Sequence, residues 1–280
     1  ANEWVESAEG FAWFNGYYDN HGDRVEGDYP DGVRMTLTGQ TFALMTGVAS
    51  DAQATEIARA VDRYLWDPTV GGPRLNTDFG DARQLSTTLG RCFGFAFGHK
   101  ENGAMFSHMA VMYANALYQR GLVREGHRVL HGIYGHSQDF PVSRMYPGIP
   151  EYISARGRGM YPYLTGSASW YLLTMITQVF GVRGYRGDLV LDPKLVREQF
   201  ETDGRATLST LFAGRRLHVV YENPQRLDCG AYRVATVQLD GTILPDAGGK
   251  TARIVPREVL ESLSPRKVHR LDIKLTRDEG

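Results

Sequence analysis

Nine consecutive residues, Lys100-Glu101-Asn102-Gly103-Ala104-Met105-Phe106-Ser107-His108, set a cation, a carboxylate, an amide and an imidazole close together. Such groups can hydrogen-bond the hydroxyls of a polyol or hold an anion, which is a poor composition for a core. The stretch follows the glycine-rich run Gly94-Phe95-Ala96-Phe97-Gly98-His99. It leads into a segment where Met105, Met109, Met112, Tyr113, Ala116 and Leu117 recur at helical spacing. That spacing predicts a core-facing stripe with His108 at its edge, near the helix start. A solvated Lys-Glu pair on an Asn-Gly turn is the plain alternative.

A second stretch, Tyr161-Pro162-Tyr163-Leu164-Thr165-Gly166-Ser167-Ala168-Ser169-Trp170, opens an apolar helix expected over Tyr171 to Phe180 and ended by Gly181. Thr165, Gly166 and Ser167 fall at its N-terminus, where backbone N–H groups are unpaired and the helix dipole is positive. Small residues there let an anion approach, as in a phosphate cradle. On the residues alone a simple Thr or Ser cap is favoured over the cradle. Just upstream, Ala155-Arg156-Gly157-Arg158-Gly159 reads as a flexible basic loop.

Other candidates carry weaker chemistry. Asp19, Asp23, Glu26, Asp28 and Asp31 crowd one polar loop but lack the D-x-D-x-D-G spacing of a calcium loop. His127 and His131 stand i, i+4 on a helix without the Glu of an H-E-x-x-H site, so they read as a solvated face. No metal is expected. The chain has no phosphate-loop motif, no dinucleotide fingerprint, no G-x-S-x-G elbow and no Cys-x-x-Cys pair, which argues against nucleotide-dependent and serine-hydrolase chemistry.

The elements that must position these groups follow from pattern. A helix is expected from about Val33 to Thr46, and Ser50-Asp51-Ala52-Gln53 is a capping-box start for the next. That helix presents Ala54, Ile57, Ala58, Val61, Tyr64 and Leu65 on one face and is ended by Pro68. Gly71-Gly72-Pro73 reads as a turn, Asp78 to Leu89 as a surface loop, and Leu122 to Gln138 as a helix. After Gly187 the pattern changes to short β-branched or alternating runs: 189–191, 206–213, 216–221, 232–239 and 268–275. Turn residues such as Asp203-Gly204, Asp240-Gly241 and Gly248-Gly249 separate them, which signals antiparallel strands and hairpins. The chain therefore reads as mainly helical over residues 1–186 and β-rich over 187–280.

Composition narrows the class. The 280 residues are 42% hydrophobic and 22% charged with formal net charge -1, so no global field recruits nucleic acid or an anionic membrane. No apolar run approaches the ~20 residues of a membrane span. Two distant cysteines, Cys92 and Cys229, exclude a disulfide framework, and a cytoplasmic enzyme is the expectation. Glycine at 32 residues and tyrosine at 15 favour loops and ring faces suited to sugars, or a tightly packed helical barrel. The opening Ala1-Asn2-Glu3 lacks both an initiator Met and a clear N-cap, so a fragment, a processed product or a domain cut from something longer is the expectation.

At these residues the chain resembles the inverting glycoside phosphorylases of glycoside hydrolase family 94. K-E-N-G-A-M-F-S-H at 100–108 and L-T-G-S-A-S-W at 164–170 are similar to two signature segments of that family. W-F-N-G-Y-Y-D-N at 13–20, R-M-T-L-T-G-Q at 34–40 and G-D-L-V-L-D-P-K-L at 187–195 support them, in the expected order. The first of these, with V-E-G-D and Y-P-G-I-P-E-Y, looks closest to members acting on β-1,2-glucooligosaccharides. The resemblance implies part of an (α/α)6 helical barrel followed by an antiparallel β-sandwich. It also implies phosphorolysis of a β-glucosidic bond to α-glucose 1-phosphate, with inorganic phosphate as co-substrate and no cofactor.

The family's phosphate contacts map onto His108, Thr165 and Gly166, and its sugar contacts onto Lys100 and Glu101. Arg156 and Arg158 are candidates for a loop closing over the site. The family's general acid, an Asp in a G-D-W-N-D-like segment, has no counterpart here and is expected upstream; Asp19, Asp23 and Asp28 do not fill the role. A glucooligosaccharide, phosphate and the N-terminal part of the same enzyme are the partners implied, with a homodimer also compatible. Alternatives are a non-catalytic sugar- or phosphate-binding relative, a cellobiose or cellodextrin phosphorylase, and the phosphorylase-like domain of a cyclic β-1,2-glucan synthase.

Overall fold

Short antiparallel hairpins open the chain: β1 (Trp4–Glu6) with β2 (Ala12–Phe14), then β3 (Gly27–Tyr29) with β4 (Gly32–Arg34). The computed structural model describes residues 3–146, 148–162, 165–245 and 253–278, without the side chains of 82–84. The chain forms two units, Ala1–Leu172 and Leu173–Gly280.

In the first unit, helix α1 spans Leu37–Met45 and starts four residues later than the apolar pattern suggests, because Val33 and Arg34 are taken by β4. Tertiary hydrogen bonds hold this approach extended: Met35 N–H donates to Thr77 Oγ1 and Thr36 N–H to the Glu26 carboxylate. Helix α2 (Asp51–Tyr64) follows its sequence signal closely. Ser50 Oγ accepts from Gln53 N–H, and Gln53 Oε1 accepts from Ser50 N–H, which closes the capping box. Ala54, Ile57, Ala58 and Val61 are buried as the periodicity requires.

The turn expected at Gly71–Pro73 forms the return of a small hairpin, β5 (Trp66–Asp67) with β6 (Gly72–Pro73). The loop expected over Asp78–Leu89 contains a helix, α3 (Ala82–Thr88). Its polar composition hides an apolar grip: Leu85, Leu89 and Phe93 pack with Val25 and Phe79 in one buried cluster.

After β7 (Met105–Phe106), helix α4 (Ser107–Gln119) is the centre of the unit. Every residue from Ala110 to Tyr118 is buried, so this helix is enclosed all round rather than by one stripe. Met105 lies in β7, outside the helix, and Met109 is only half-buried. Helix α5 (Val123–Gln138) and the short α6 (Phe140–Ser143) follow. The hairpin of β8 (Tyr152–Ile153) and β9 (Gly159–Met160) adds to β7, giving a sheet of order β7-β8-β9. Helix α7 (Gly166–Thr174) runs on into a π turn at Met175–Val179, and the division between the two units falls inside α7.

The second unit carries the strands. β10 (Val182–Tyr185) and β11 (Asp188–Leu191) form a sheet with β16 (Arg253–Val255), entered just before helix α8 (Arg257–Ser262). A larger sheet has the order β12-β13-β17-β14-β15, from Arg205–Phe212, Arg215–Glu222, Val268–Arg277, Tyr232–Leu239 and Thr242–Ile243. The purely antiparallel expectation needs correction here, since β13 and β17 pair parallel. The reason is topological. β17 inserts between β13 and β14, which run in opposite directions, so it is parallel to one of them whichever way it runs. Alternate residues of β17 are buried, Leu271, Ile273 and Leu275 among them, as a half-covered sheet demands. Among the described residues no helix is long and apolar enough to cross a membrane.

Candidate functional site

The corner at 98–103 is a tight turn built by its own backbone. Gly98 N–H donates to Asn102 O at 2.7 Å and Asn102 N–H returns to His99 O at 3.0 Å. Lys100 takes a left-handed conformation, φ 49°. The amide of Asn102 fastens the turn from below: its Nδ2 donates to Phe95 O at 2.7 Å, and its Oδ1 accepts from Asn76 Nδ2 at 3.0 Å. Asn76 Oδ1 accepts from Gly103 N–H at 2.9 Å. Both amides are nearly fully buried, so these bonds carry much of the positional definition of the corner.

This corner borders a cavity of about 350 Å³, near the lower end of the ~300–1,000 Å³ typical of ligand sites. Thr36, Thr38, Asn76, Cys92, Glu101 and His108 are the polar residues among its lining. Tyr17, Leu75, Phe93, Phe106, Met109 and Met112 supply apolar wall. The structure thus brings Glu101 and His108 together in one chamber, and the methionines expected in the core, Met109 and Met112, face it too.

Glu101 Oε1 lies 3.5 Å from the largely exposed Arg91, a weak contact. Its Oε2 is buried without a hydrogen-bond partner among the described residues. His108, in the first turn of α4, is in the same condition at Nε2. Burial pushes the His108 pKa below its usual value, so the ring is neutral at pH 7. Side chains of these two types lining one chamber can accept from a hydroxyl and, with a proton on the imidazole Nε2, donate to an anion.

Gly166 opens α7 directly against His108; a β-carbon at this position would stand 2.5 Å from His108 Cε1. Thr165 acts as the helix cap, with Oγ1 accepting from Ser167 N–H at 2.9 Å and lying 2.6 Å from Ser167 Oγ. Both readings of this helix start therefore remain compatible in one geometry: a cap, placed beside an imidazole. Tyr163 and Leu164 of this stretch lie outside the described residues. Lys100 turns aside from the cavity and sets Nζ 4.1 Å above the Tyr161 ring. Hydrogen bonding to Tyr161 raises its pKa, which keeps it a cation. Arg156 and Arg158 are exposed in the β8–β9 hairpin and do not line the cavity. The hairpin is nonetheless anchored to the corner, through the β7–β8 ladder and Ala155 N–H donating to Gly98 O at 3.1 Å.

The acidic loop disperses. Asp19 Oδ1 accepts from His21 and Asp23 N–H, Asp28 accepts from Ala8 N–H, and Asp31 pairs with Arg34. His127 and His131 have ring centroids 5.7 Å apart on α5. No group of three His, Cys, Asp or Glu able to hold a metal occurs among the described residues.

Glu26 belongs to this loop by sequence, yet it is fully buried beside the cavity wall. Desolvation pushes its pKa up to about 7. Thr36, Asn76, Tyr17 and Cys92 are further cavity residues not expected at the site; Tyr17 and Thr36 fall in the family-like segments 13–20 and 34–40, which could have pointed to them, whereas Asn76 and Cys92 stand in no such segment.

Comparison with known proteins adds a family to this geometry. The chain is 22% identical over 258 residues to the N,N'-diacetylchitobiose phosphorylase of Vibrio proteolyticus, covering 87% of this chain and 31% of that protein. It is 24% identical over 251 residues to the solabiose phosphorylase of Paenibacillus borealis, covering 84% of this chain and 31% of that protein. A 3-O-beta-D-glucopyranosyl-beta-D-glucuronide phosphorylase of the same organism is 24% identical over 233 residues, 79% of this chain and 29% of that protein. The chain spans about a third of the length of these curated relatives. The family described as the glycosyl hydrolase 94 superfamily, catalytic domain, matches residues 2–181, and the chain belongs to that superfamily.

Proposed function

We propose that this chain is the C-terminal part of an inverting glycoside phosphorylase, with the Glu101–His108 cavity as part of its sugar-phosphate site. The observation that carries the reading is that Glu101 and His108, each with a buried polar atom lacking a partner among the described residues, line one cavity beside the start of α7. Family membership supports it, because the relatives named above are phosphorylases of several different sugars. On this reading the helices of the first unit belong to an (α/α)6 barrel, and the strands of the second to a β-sandwich.

In the reaction, a phosphate oxygen attacks the anomeric carbon as the bond from that carbon to the bridging oxygen breaks. A carboxylic acid gives its proton to the departing oxygen. The β-linked sugar leaves as an α-sugar 1-phosphate and the remainder as a free alcohol. One carboxyl suffices, since phosphate replaces the base-activated water of an inverting hydrolase. His108, with a proton on Nε2, donates to a phosphate oxygen. The Thr165 hydroxyl, which also caps Ser167 N–H, is a further donor at the start of α7, and the helix dipole there favours the negative charge. Glu101 accepts from a sugar hydroxyl. Lys100 keeps a positive charge on the same corner, over the Tyr161 ring, and Arg156 and Arg158 add positive charge on the neighbouring hairpin, outside the cavity.

We assign the general acid to the remaining part of the enzyme. The substrate assigned from the 13–20 and 146–152 segments is a β-1,2-glucooligosaccharide, with inorganic phosphate and no organic cofactor. Action in the cytoplasm and a homodimer belong to the same reading. The test is phosphate release by the full-length enzyme from α-glucose 1-phosphate with glucose or a short β-1,2-glucan as acceptor, followed by linkage analysis. Release that His108→Asn and Glu101→Gln each abolish supports the assignment. Sugar binding without any turnover points to the non-catalytic relative instead, and a β-1,4-linked product to a cellobiose or cellodextrin phosphorylase.

A further inference from the structure

Glu26 lies one layer behind the cavity and is 0% exposed. Four donors converge on its carboxylate. Gly16 N–H reaches Oε1 at 3.0 Å and Thr36 Oγ1 at 2.6 Å; Thr36 N–H reaches Oε2 at 2.9 Å and Gln40 Nε2 at 3.5 Å. No cation is among them. The arrangement suits an anion, since a carboxylate only accepts and all four partners donate to it. Backbone is shaped around it: Gly16 and Gly39 approach so closely that a β-carbon on Gly16 would lie 2.7 Å from Gly39 Cα and 3.0 Å from Glu26 Oε1.

Two of the residues it holds, Gly16 and Thr36, line the cavity. The connection continues across the wall. Thr36 bridges to Asn76, the side chain of Asn76 bonds that of Asn102, and Asn102 adjoins Glu101. Leu37 N–H donates to Leu75 O and Leu75 N–H to Ala104 O, tying the same three segments through backbone.

We infer that Glu26 is a positioning residue for this site, its ionised carboxylate bracing Gly16 and Thr36 and, through Asn76 and Asn102, the corner that presents Glu101. The inference rests on the cavity being a sugar site. It adds a pH dependence. A proton on Glu26 removes the negative charge that all four donors converge on; the Thr36 Oγ1 bond then reverses or one N–H bond is given up, and either change loosens the brace. Burial moves that protonation to about pH 7. The groups in contact with Glu26, from Trp13, Gly16, Thr36 and Gln40, carry no titratable side chain. The titratable side chains of the cavity itself are Tyr17, Cys92, Glu101 and His108.

The experiment uses the full-length enzyme, wild type and Glu26→Gln, with glucose as a probe that does not itself titrate. Glucose affinity is measured by calorimetry from about pH 6 to 8, and amide exchange is followed at Gly16 and Thr36 by mass spectrometry of ligand-free protein. The expected result is a wild-type affinity that rises roughly tenfold across this range. In Glu26→Gln it is flat and about tenfold weaker at pH 8, and protection at Gly16 and Thr36 is lost. A Glu26→Gln enzyme with lost protection but the wild-type affinity profile overturns the inference and leaves Glu26 a purely structural group. Unchanged protection overturns it as well. A wild type that binds no glucose at any pH removes the sugar-site reading and this inference together, which separates that failure from the other two.

Discussion

His108 and Gly166 meet face to ring. A β-carbon at residue 166 would stand 2.5 Å from His108 Cε1 and 2.8 Å from Nδ1, closer than real β-carbons approach. The ring is also flanked by Trp170, with centroids 6.1 Å apart. The start of α7 therefore sets where the imidazole can lie.

Gly166→Ala should push His108 out of place without removing any donor. Overpacking of this kind costs ~1–3 kcal/mol. The KM for phosphate in the full-length enzyme is expected to rise at least tenfold, while the KM for the sugar changes less. Equal changes in both would mean that the ring does not serve phosphate.

His108 also predicts a stability slope. Its folded pKa lies below the usual 6.5 because the charged form is desolvated. In the window below about 6.5 the unfolded chain binds a proton that the folded protein refuses, so stability falls as pH falls. Urea denaturation of wild type and His108→Asn should show this slope in the first and lose it in the second.

Glu26 predicts the opposite sign. Its carboxyl is raised from 4.5 to about 7 by burial. Between those values the folded protein keeps a proton that the unfolded chain has released, so stability declines as pH rises through the window. At about 1.4 kcal/mol per unit, the decline is on the order of 3 kcal/mol. In Glu26→Gln, denaturation at a series of pH values should lack it.

Asn102→Ala should destabilise the corner from within. It leaves the Phe95 carbonyl and one Asn76 N–H without their partners, each buried orphan costing ~1–3 kcal/mol. A lower denaturation midpoint with a weakened sugar KM is expected. A midpoint within error of wild type would show that water replaces the amide.

Parts of this fold are legible in the chain because the information is local. The Ser50–Gln53 box fixes the start of α2 through reciprocal bonds three residues apart, and alternation in 268–277 marks a strand without any partner in view. Lys100, Glu101 and His108 are visible as a polar cluster interrupting apolar surroundings, and Thr165-Gly166 as a helix start. Helix α3 is hidden because its apolar grip is completed by Val25 and Phe79, the first of them far along the chain.

The sequence alone determined the start of α2, the strand-rich character of the second unit, the family, and the residue types that bear on a sugar phosphate, but not the short strands β1–β9 that interrupt the helices of the first unit. Only the tertiary structure decided that Glu101 and His108 share a chamber and that Gly166 touches His108, while Arg156 and Arg158 stay outside the cavity. It also decided that Glu26, one of several acids in a polar loop, is buried without a cation behind that chamber. Periodicity and capping report on neighbours within a few residues. Burial and desolvation are set by residues far apart in sequence, such as Gly16, Thr36 and Gln40 around one carboxylate, and no local pattern encodes them.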